Sequence, residues 1–165
     1  MKILKTFIGV GSVVAFLAVC LVVLSPLSGL AQTDPIIGTW KLNLAKSKFS
    51  PGPPPKSRTV TYEAVGQGFK ITTKGTDAEG KTFEYQFTAN YDGKDYPVTG
   101  NPDWDTIAFK RIDAYTTETN RKKAGKVVST NTRVVSKDGK TQTQREKGVN
   151  AKGEKFSYTW VFEKQ

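Results

Sequence analysis

Lys155-Phe156-Ser157-Tyr158-Thr159-Trp160-Val161-Phe162-Glu163 sets an aromatic residue at every second position, with small or β-branched residues between. A strand turns successive side chains to opposite faces, so Phe156, Tyr158, Trp160 and Phe162 share one face. A helix would spread the same four residues around its axis. The stretch is therefore a strand with one buried side, and it needs partners.

The partners are found by reading backwards. Lys140 to Gly148, Lys126 to Ser136 and Tyr115 to Lys122 are extended stretches joined by Asn150 to Gly153, Asp138-Gly139 and Lys123-Ala124-Gly125. Asp-Gly between two strands is the strongest short hairpin signal. Upstream, Trp104 to Arg111 carries Ile107 and Phe109 on one face, and Phe83, Tyr85, Phe87 and Ala89 alternate with Glu84, Gln86 and Thr88. Phe69 to Lys74 and Arg58 to Val65 precede them, and Ile36 to Leu44 opens the series with Trp40, Leu42 and Leu44 aligned. Phe49 to Pro55, FSPGPPP, reads as a polyproline-like crossover, because proline has no donor to give a ladder. Tyr91 to Asp103 reads as the longest irregular loop. No segment holds a 3.6-residue apolar period, so no helix is predicted. The expectation is all-β: an antiparallel up-and-down meander of about nine strands. Closing it into a barrel, first strand against last, would remove its edges and bring Trp40 towards Trp160 and Phe162.

The chain has 165 residues, a length for one domain once a leader is set aside. Met1 to Lys5 is a basic start, Phe7 to Leu24 runs apolar without a charge, and Gly29-Leu30-Ala31 supplies small residues where a signal peptidase reads them. This predicts a signal peptide over 1–31 and a single domain over 32–165, secreted or periplasmic, with no stable membrane insertion after cleavage. An uncleaved anchor is the alternative, since the apolar run is just long enough to span a bilayer. Cys20 raises a lipoprotein reading, but Val19 stands where a lipobox needs a small residue. As the only cysteine, it leaves the domain without disulfides.

The formal charge is +10 and is unevenly spread. Residues 32–109 carry nine basic and nine acidic side chains, whereas 110–155 carry thirteen basic and five acidic. The second half is a basic surface. Solubility and charged strand edges account for it; a weak contact with an anionic surface is the sharper reading. The basic residues alternate with Thr, Ser and Gln, which gives no pattern for specific nucleic-acid binding.

The chain has no histidine. With no cysteine in the domain either, Ser-His-Asp and Cys-His catalysis, zinc sites built on those residues and histidine-ligated haem are excluded. Carboxylates remain. Asp92, Asp95, Asp103 and Asp105 crowd one loop and would suit Ca²⁺ or an acid–base pair, but Asp beside Gly and Pro is also ordinary turn chemistry, and EF-hand spacing is missing. Tyr91, Tyr96 and Trp104 either pack that loop or rim a barrel mouth. Arg111, Arg121, Arg133 and Arg145 come one from each of four successive strands. Arg111 shares the parity of Ile107 and Phe109, whereas Arg133 has Val127 and Val135 on its side and Val128 and Val134 opposite. Two of these pointing inward would clamp a carboxylate or phosphate; pointing outward they would pair with Glu118 and Glu146.

Gly38-Thr39-Trp40-Lys41-Leu42 resembles the Gly-x-Trp start of lipocalins and the opening strand of fatty-acid-binding proteins, and Thr159 to Lys164 resembles the closing strand of the latter. The resemblance, over roughly residues 36–164, implies a calycin-like barrel enclosing a small apolar ligand. The Pro-rich crossover stands where fatty-acid-binding proteins have a helix pair. Trp160 and Phe162 stand where those proteins keep an Arg-x-Tyr anchor. WKLNLAKSKFSPGPPPKS and DGKDYPVTGNPDWDTIAFKRID also look like a family of small secreted bacterial proteins of undetermined role.

These readings converge on a monomeric, non-catalytic binding protein for a small hydrophobic or amphipathic ligand, lipid- or fatty-acid-like, with no cofactor and no metal. The expected ligand-binding residues are Trp40, Tyr62, Phe83, Tyr85, Phe109, Arg111, Arg133, Tyr158 and Trp160. The alternative is a filled barrel acting as an envelope-associated interaction module through the basic surface. A weaker third reading is carboxylate-based hydrolysis by Asp103 and Asp105.

Overall fold

The computed structural model of the protein describes residues 34–165; the signal peptide expected over 1–31 lies outside the described residues. Eleven strands form one antiparallel sheet: β1 (Gly38–Leu42), β2 (Lys48–Ser50), β3 (Ser57–Val65), β4 (Gly68–Thr76), β5 (Thr82–Ala89), β6 (Asp92–Pro97), β7 (Thr106–Arg111), β8 (Thr116–Lys123), β9 (Lys126–Val135), β10 (Thr141–Val149) and β11 (Lys155–Lys164). The spatial order is β5-β4-β3-β1-β11-β10-β9-β8-β7-β6. First and last strands are paired as expected, with Trp40 opposite Lys164 and Leu42 opposite Phe162.

Three features depart from the sequence reading. One turn of 3-10 helix at Leu44–Lys46 breaks the first strand. The chain then resumes along β11 as β2, with Phe49 opposite Tyr158, so Phe49 and Ser50 belong to a ladder and only the following prolines form the crossover. At the break the Ser47 hydroxyl accepts from the Val161 amide at 2.9 Å, replacing a ladder carbonyl. The expected loop at Tyr91 to Asp103 also contains a strand, β6, which pairs with β7 through a bulge around Gly93, at φ +76°. Gly, Pro and Lys disguise it as a loop because they are the residues that blunt an exposed edge.

The barrel is therefore nearly closed, with its seam between β5 and β6. Aromatic side chains bridge the seam. Phe87 and Phe109 stack at 6.2 Å, and Trp104 meets Tyr85 and Phe87 edge-on at 5.6 and 6.0 Å. Trp40, Phe69, Phe109 and Phe162 are fully buried; each such side chain contributes about 1.5–3 kcal/mol on leaving water. Trp40 plugs one end. Its indole donates to the Ile36 carbonyl at 2.7 Å, and Lys164 lies over its ring at 5.3 Å. Gly38, at φ +127°, leaves the space that the Lys164 stem fills; a Cβ there would meet it at 2.7 Å.

A second bulge resolves the direction of Arg133. Arg121 faces Ser129 and Lys122 faces Val127, so Val128 is an extra residue on β9. Beyond the bulge, Ser129, Asn131, Arg133 and Val135 all point inward, and Val127 remains exposed.

Candidate functional site

The lumen has two unlike walls. β3, β4, β5, β7 and β11 line it with aromatic and aliphatic side chains. β8, β9 and β10 contribute Thr117, Thr119, Arg121, Ser129, Asn131, Arg133, Gln142, Gln144 and Glu146, all buried but Arg121, which is half-buried. Polar groups at this depth need partners. Asn131 donates to Gln144 at 3.0 Å, and Gln144 in turn donates to Gln142. Arg121 and Glu146 form an ion pair, their side chains 13% and 9% exposed, and Trp160 Nε1 donates to Glu146 at 3.2 Å. Burial opposes the charge on Glu146, but the Arg121 guanidinium overcomes it and holds the carboxyl below its ordinary value. The carboxylate in turn keeps Arg121 protonated against the same burial.

At the β2–β11 end the lumen opens into a cavity of about 330 Å³. Its apolar wall is Trp104, Phe156, Tyr158 and Trp160, with Phe49 packed edge-on behind Trp160 at 4.7 Å. Its floor is Arg58, Tyr85, Arg121 and Glu146. Arg58 lies 4.6 Å over the Trp160 ring and donates to the Tyr85 hydroxyl at 3.1 Å. Beneath this floor is an inner chamber of about 30 Å³, bounded by Arg58, Tyr62, Tyr85, Phe109, Arg121 and Arg133 among others. The lumen is thus hollow at its mouth and nearly filled below.

The expected ligand-binding residues divide between these places. Tyr158 and Trp160 line the mouth, Tyr62, Phe109 and Arg133 line the inner chamber, and Tyr85 lines both. Phe83 stacks on Tyr85 at 6.3 Å and supports Arg58 without lining either cavity. Trp40 belongs to the end plug. Arg111 faces inward as its parity implied, but it is held by Asp34 and stacked 3.8 Å over Tyr91. Tyr91 donates to Asp34 at 2.7 Å, and burial with that hydrogen bond pushes its hydroxyl pKa far up. Arg145 is exposed, and Glu146 pairs inward with Arg121, not along an outer row.

The Asp-rich loop spreads its carboxylates. Asp92 accepts from the Tyr96 hydroxyl, Asp95 pairs with Lys122 at 2.7 Å, and Asp105 caps the Ala124 amide. Among the described residues no group of three metal-ligating side chains converges. Of the loop's aromatics, Trp104 lines the mouth, while Tyr91 lies outside its lining and packs against Phe69 at 4.6 Å.

Trp104 rims the mouth and Arg121 points inward, each one of the two alternatives that the sequence left open, whereas Arg58, Glu146 and Phe156 are additions that the structure makes to the expected ligand-binding residues. Parity was the available signal: Arg58 shares a face with Val60 and Tyr62, and Phe156 with Tyr158 and Trp160. The sequence matches no model of a known protein family and no curated protein.

Proposed function

We propose that the protein is a secreted or periplasmic, non-catalytic binding protein whose calycin-like barrel takes a small amphipathic ligand at its mouth. One observation carries this reading: an aromatic wall and a charged floor meet in a cavity of about 330 Å³. That volume is at the low end of the ~300–1,000 Å³ that small-molecule sites occupy. It favours a compact or short-chain ligand over an enclosed long acyl chain. The apolar body would lie against Trp104, Phe156, Tyr158 and Trp160, with its polar end towards Arg58 and Arg121. Of the two carboxylates in the cavity's lining, Asp103 and Glu146, Glu146 is tied up by Arg121 and Trp160, which favours binding over turnover.

The filled lower lumen favours a second reading, in which the outer basic face of residues 110–155 is the working surface. Native mass spectrometry of the protein from its host's envelope fraction, with titration of an apolar dye followed by tryptophan fluorescence, separates the two. The mouth reading expects a co-purifying small mass or energy transfer from Trp104 and Trp160 to the dye, weakened in Trp160→Leu. A bare mass with no dye response overturns it and leaves the surface reading.

A further inference from the structure

Three guanidinium groups and no carboxylate line the inner chamber: Arg58, Arg121 and Arg133. Glu146, paired with Arg121, lines the mouth above it. Asp34 is engaged by Arg111, Tyr91 and the Ile36 amide near Tyr91. Arg133 is 4% exposed, and among the described residues no acidic side chain lies within ion-pair distance of it. Its Nε and Nη1 atoms are buried without a hydrogen-bond partner, as are Nε of Arg58 and Nε of Arg121.

Stacking does not supply what these groups lack. Arg133 lies over Tyr62 at 5.0 Å and Phe109 at 5.6 Å, and Arg121 over Trp104 at 5.3 Å. A ring covers the face of a guanidinium, whereas its five N–H donors point outward in its plane. Arginine cannot escape by losing its proton. A water molecule would accept hydrogen bonds but would bring no charge. The chamber, at about 30 Å³, has room for little more than one atom or small group of water's size.

We propose that the inner chamber is a built site for one small monoanionic group, a halide ion or a ligand's carboxylate, bound by the edge donors of Arg133 and flanked by Arg58 and Arg121. Chamber and mouth share Arg58, Tyr85, Trp104 and Arg121 in their linings, so an acid bound at the mouth can reach down with its head. A free halide would serve the same guanidinium groups when no ligand is present. The free-anion form of the site stands on charge and hydrogen-bond balance alone, whereas the carboxylate form rests on the mouth reading.

The test is thermal unfolding and binding with the intact domain. Chloride against gluconate at matched ionic strength probes the free anion; octanoate against 1-octanol probes the tethered one. The expected result is a saturable rise in Tm of about 3–6 °C with chloride, as for one occupied site in a domain of this size. Octanoate is expected to bind at least about tenfold tighter than octanol. Arg133→Met, which keeps the stem and removes the donors, abolishes both effects. Dependence on octanoate alone assigns the site to the ligand's acid, and dependence on chloride alone to the free ion. Octanol binding reports on the mouth separately, so failure of one reading does not hide failure of the other. If Arg133→Met does not fold, a bromide-soaked crystal of the wild type decides: an anomalous peak within hydrogen-bond distance of Arg133 is expected. Equal salt and octanoate responses in wild type and variant, or no bromide in the chamber, overturns the proposal.

Discussion

Replacing Glu146 with Gln isolates the ion pair under the mouth. The amide oxygen can keep the acceptor for Trp160 Nε1, which lies 3.2 Å from the carboxylate, but the amide NH2 then takes the place of the oxygen that faces Arg121, donor against donor. What disappears is the negative charge facing Arg121, in a pair whose side chains are 13% and 9% exposed. Removing one partner of a buried pair costs about 3–5 kcal/mol, because the remaining charge has no compensation. Here the lower figure applies, about 3 kcal/mol, since Arg121 also stacks on Trp104 and borders the open mouth. In a domain of this size that is about 9–15 °C in Tm. Urea unfolding followed by tryptophan fluorescence measures it, with an unchanged m-value expected because the buried surface is the same. The double variant Arg121→Met with Glu146→Leu removes both charges and is expected to be more stable than either single variant. A Glu146→Gln loss below about 0.5 kcal/mol, or single-variant losses that simply add, would refute the reasoning.

The same carboxyl makes stability depend on acid. Its folded pKa lies below its ordinary value of 4.5, so its contribution is complete above that value and is lost as pH falls through the lowered folded value. The wild-type urea midpoint is expected to fall over that acidic range, and the part due to Glu146 to be missing in Glu146→Gln. Gly148→Ala puts a Cβ 2.3 Å from the Val128 carbonyl and 2.7 Å from Ser129 Cβ, at the β9 bulge. A loss of about 1–3 kcal/mol is expected from such overpacking, and a neutral result in urea unfolding would show that the bulge yields. The seam between β5 and β6 lacks ladder hydrogen bonds, so amide exchange in these two strands is expected to be faster than in β10 and β11. Trp104→Ala should speed it further and cost about 3–5 kcal/mol, since Trp104 bridges the seam to Tyr85 and Phe87.

The fold was legible wherever apolar and polar residues alternate. β5 and β11 announce themselves through Phe83-x-Tyr85-x-Phe87 and Phe156-x-Tyr158-x-Trp160-x-Phe162, because half-buried strands must show period two. β6 was not legible, since an edge strand protected by Gly93, Lys94 and Pro97 carries a loop's composition. Arg133 was ambiguous for a different reason. The bulge at Val128 adds one residue, and one residue reverses every later side chain on the strand.

The candidate site was half legible. Its aromatic wall follows from the parity of the last strand. Its polar wall does not, because Thr117, Thr119 and Arg121 on β8 and Gln142, Gln144 and Glu146 on β10 look like a solvated face. Alternation tells two faces apart but does not say which faces inward when neither is apolar.

By itself the sequence determined an antiparallel all-β meander, the pairing of its first and last strands, and, within residues 32–165, the exclusion of chemistry that needs a histidine or cysteine side chain. Those follow from local periodicity and from which atoms the side chains contain. Only the tertiary structure decided that the lumen is hollow at one end, that Arg121 and Glu146 meet inside it, and that Arg133 is buried with donors unmet. Such facts depend on how strands far apart in sequence are brought around one axis, and a single residue of register changes which charges face each other.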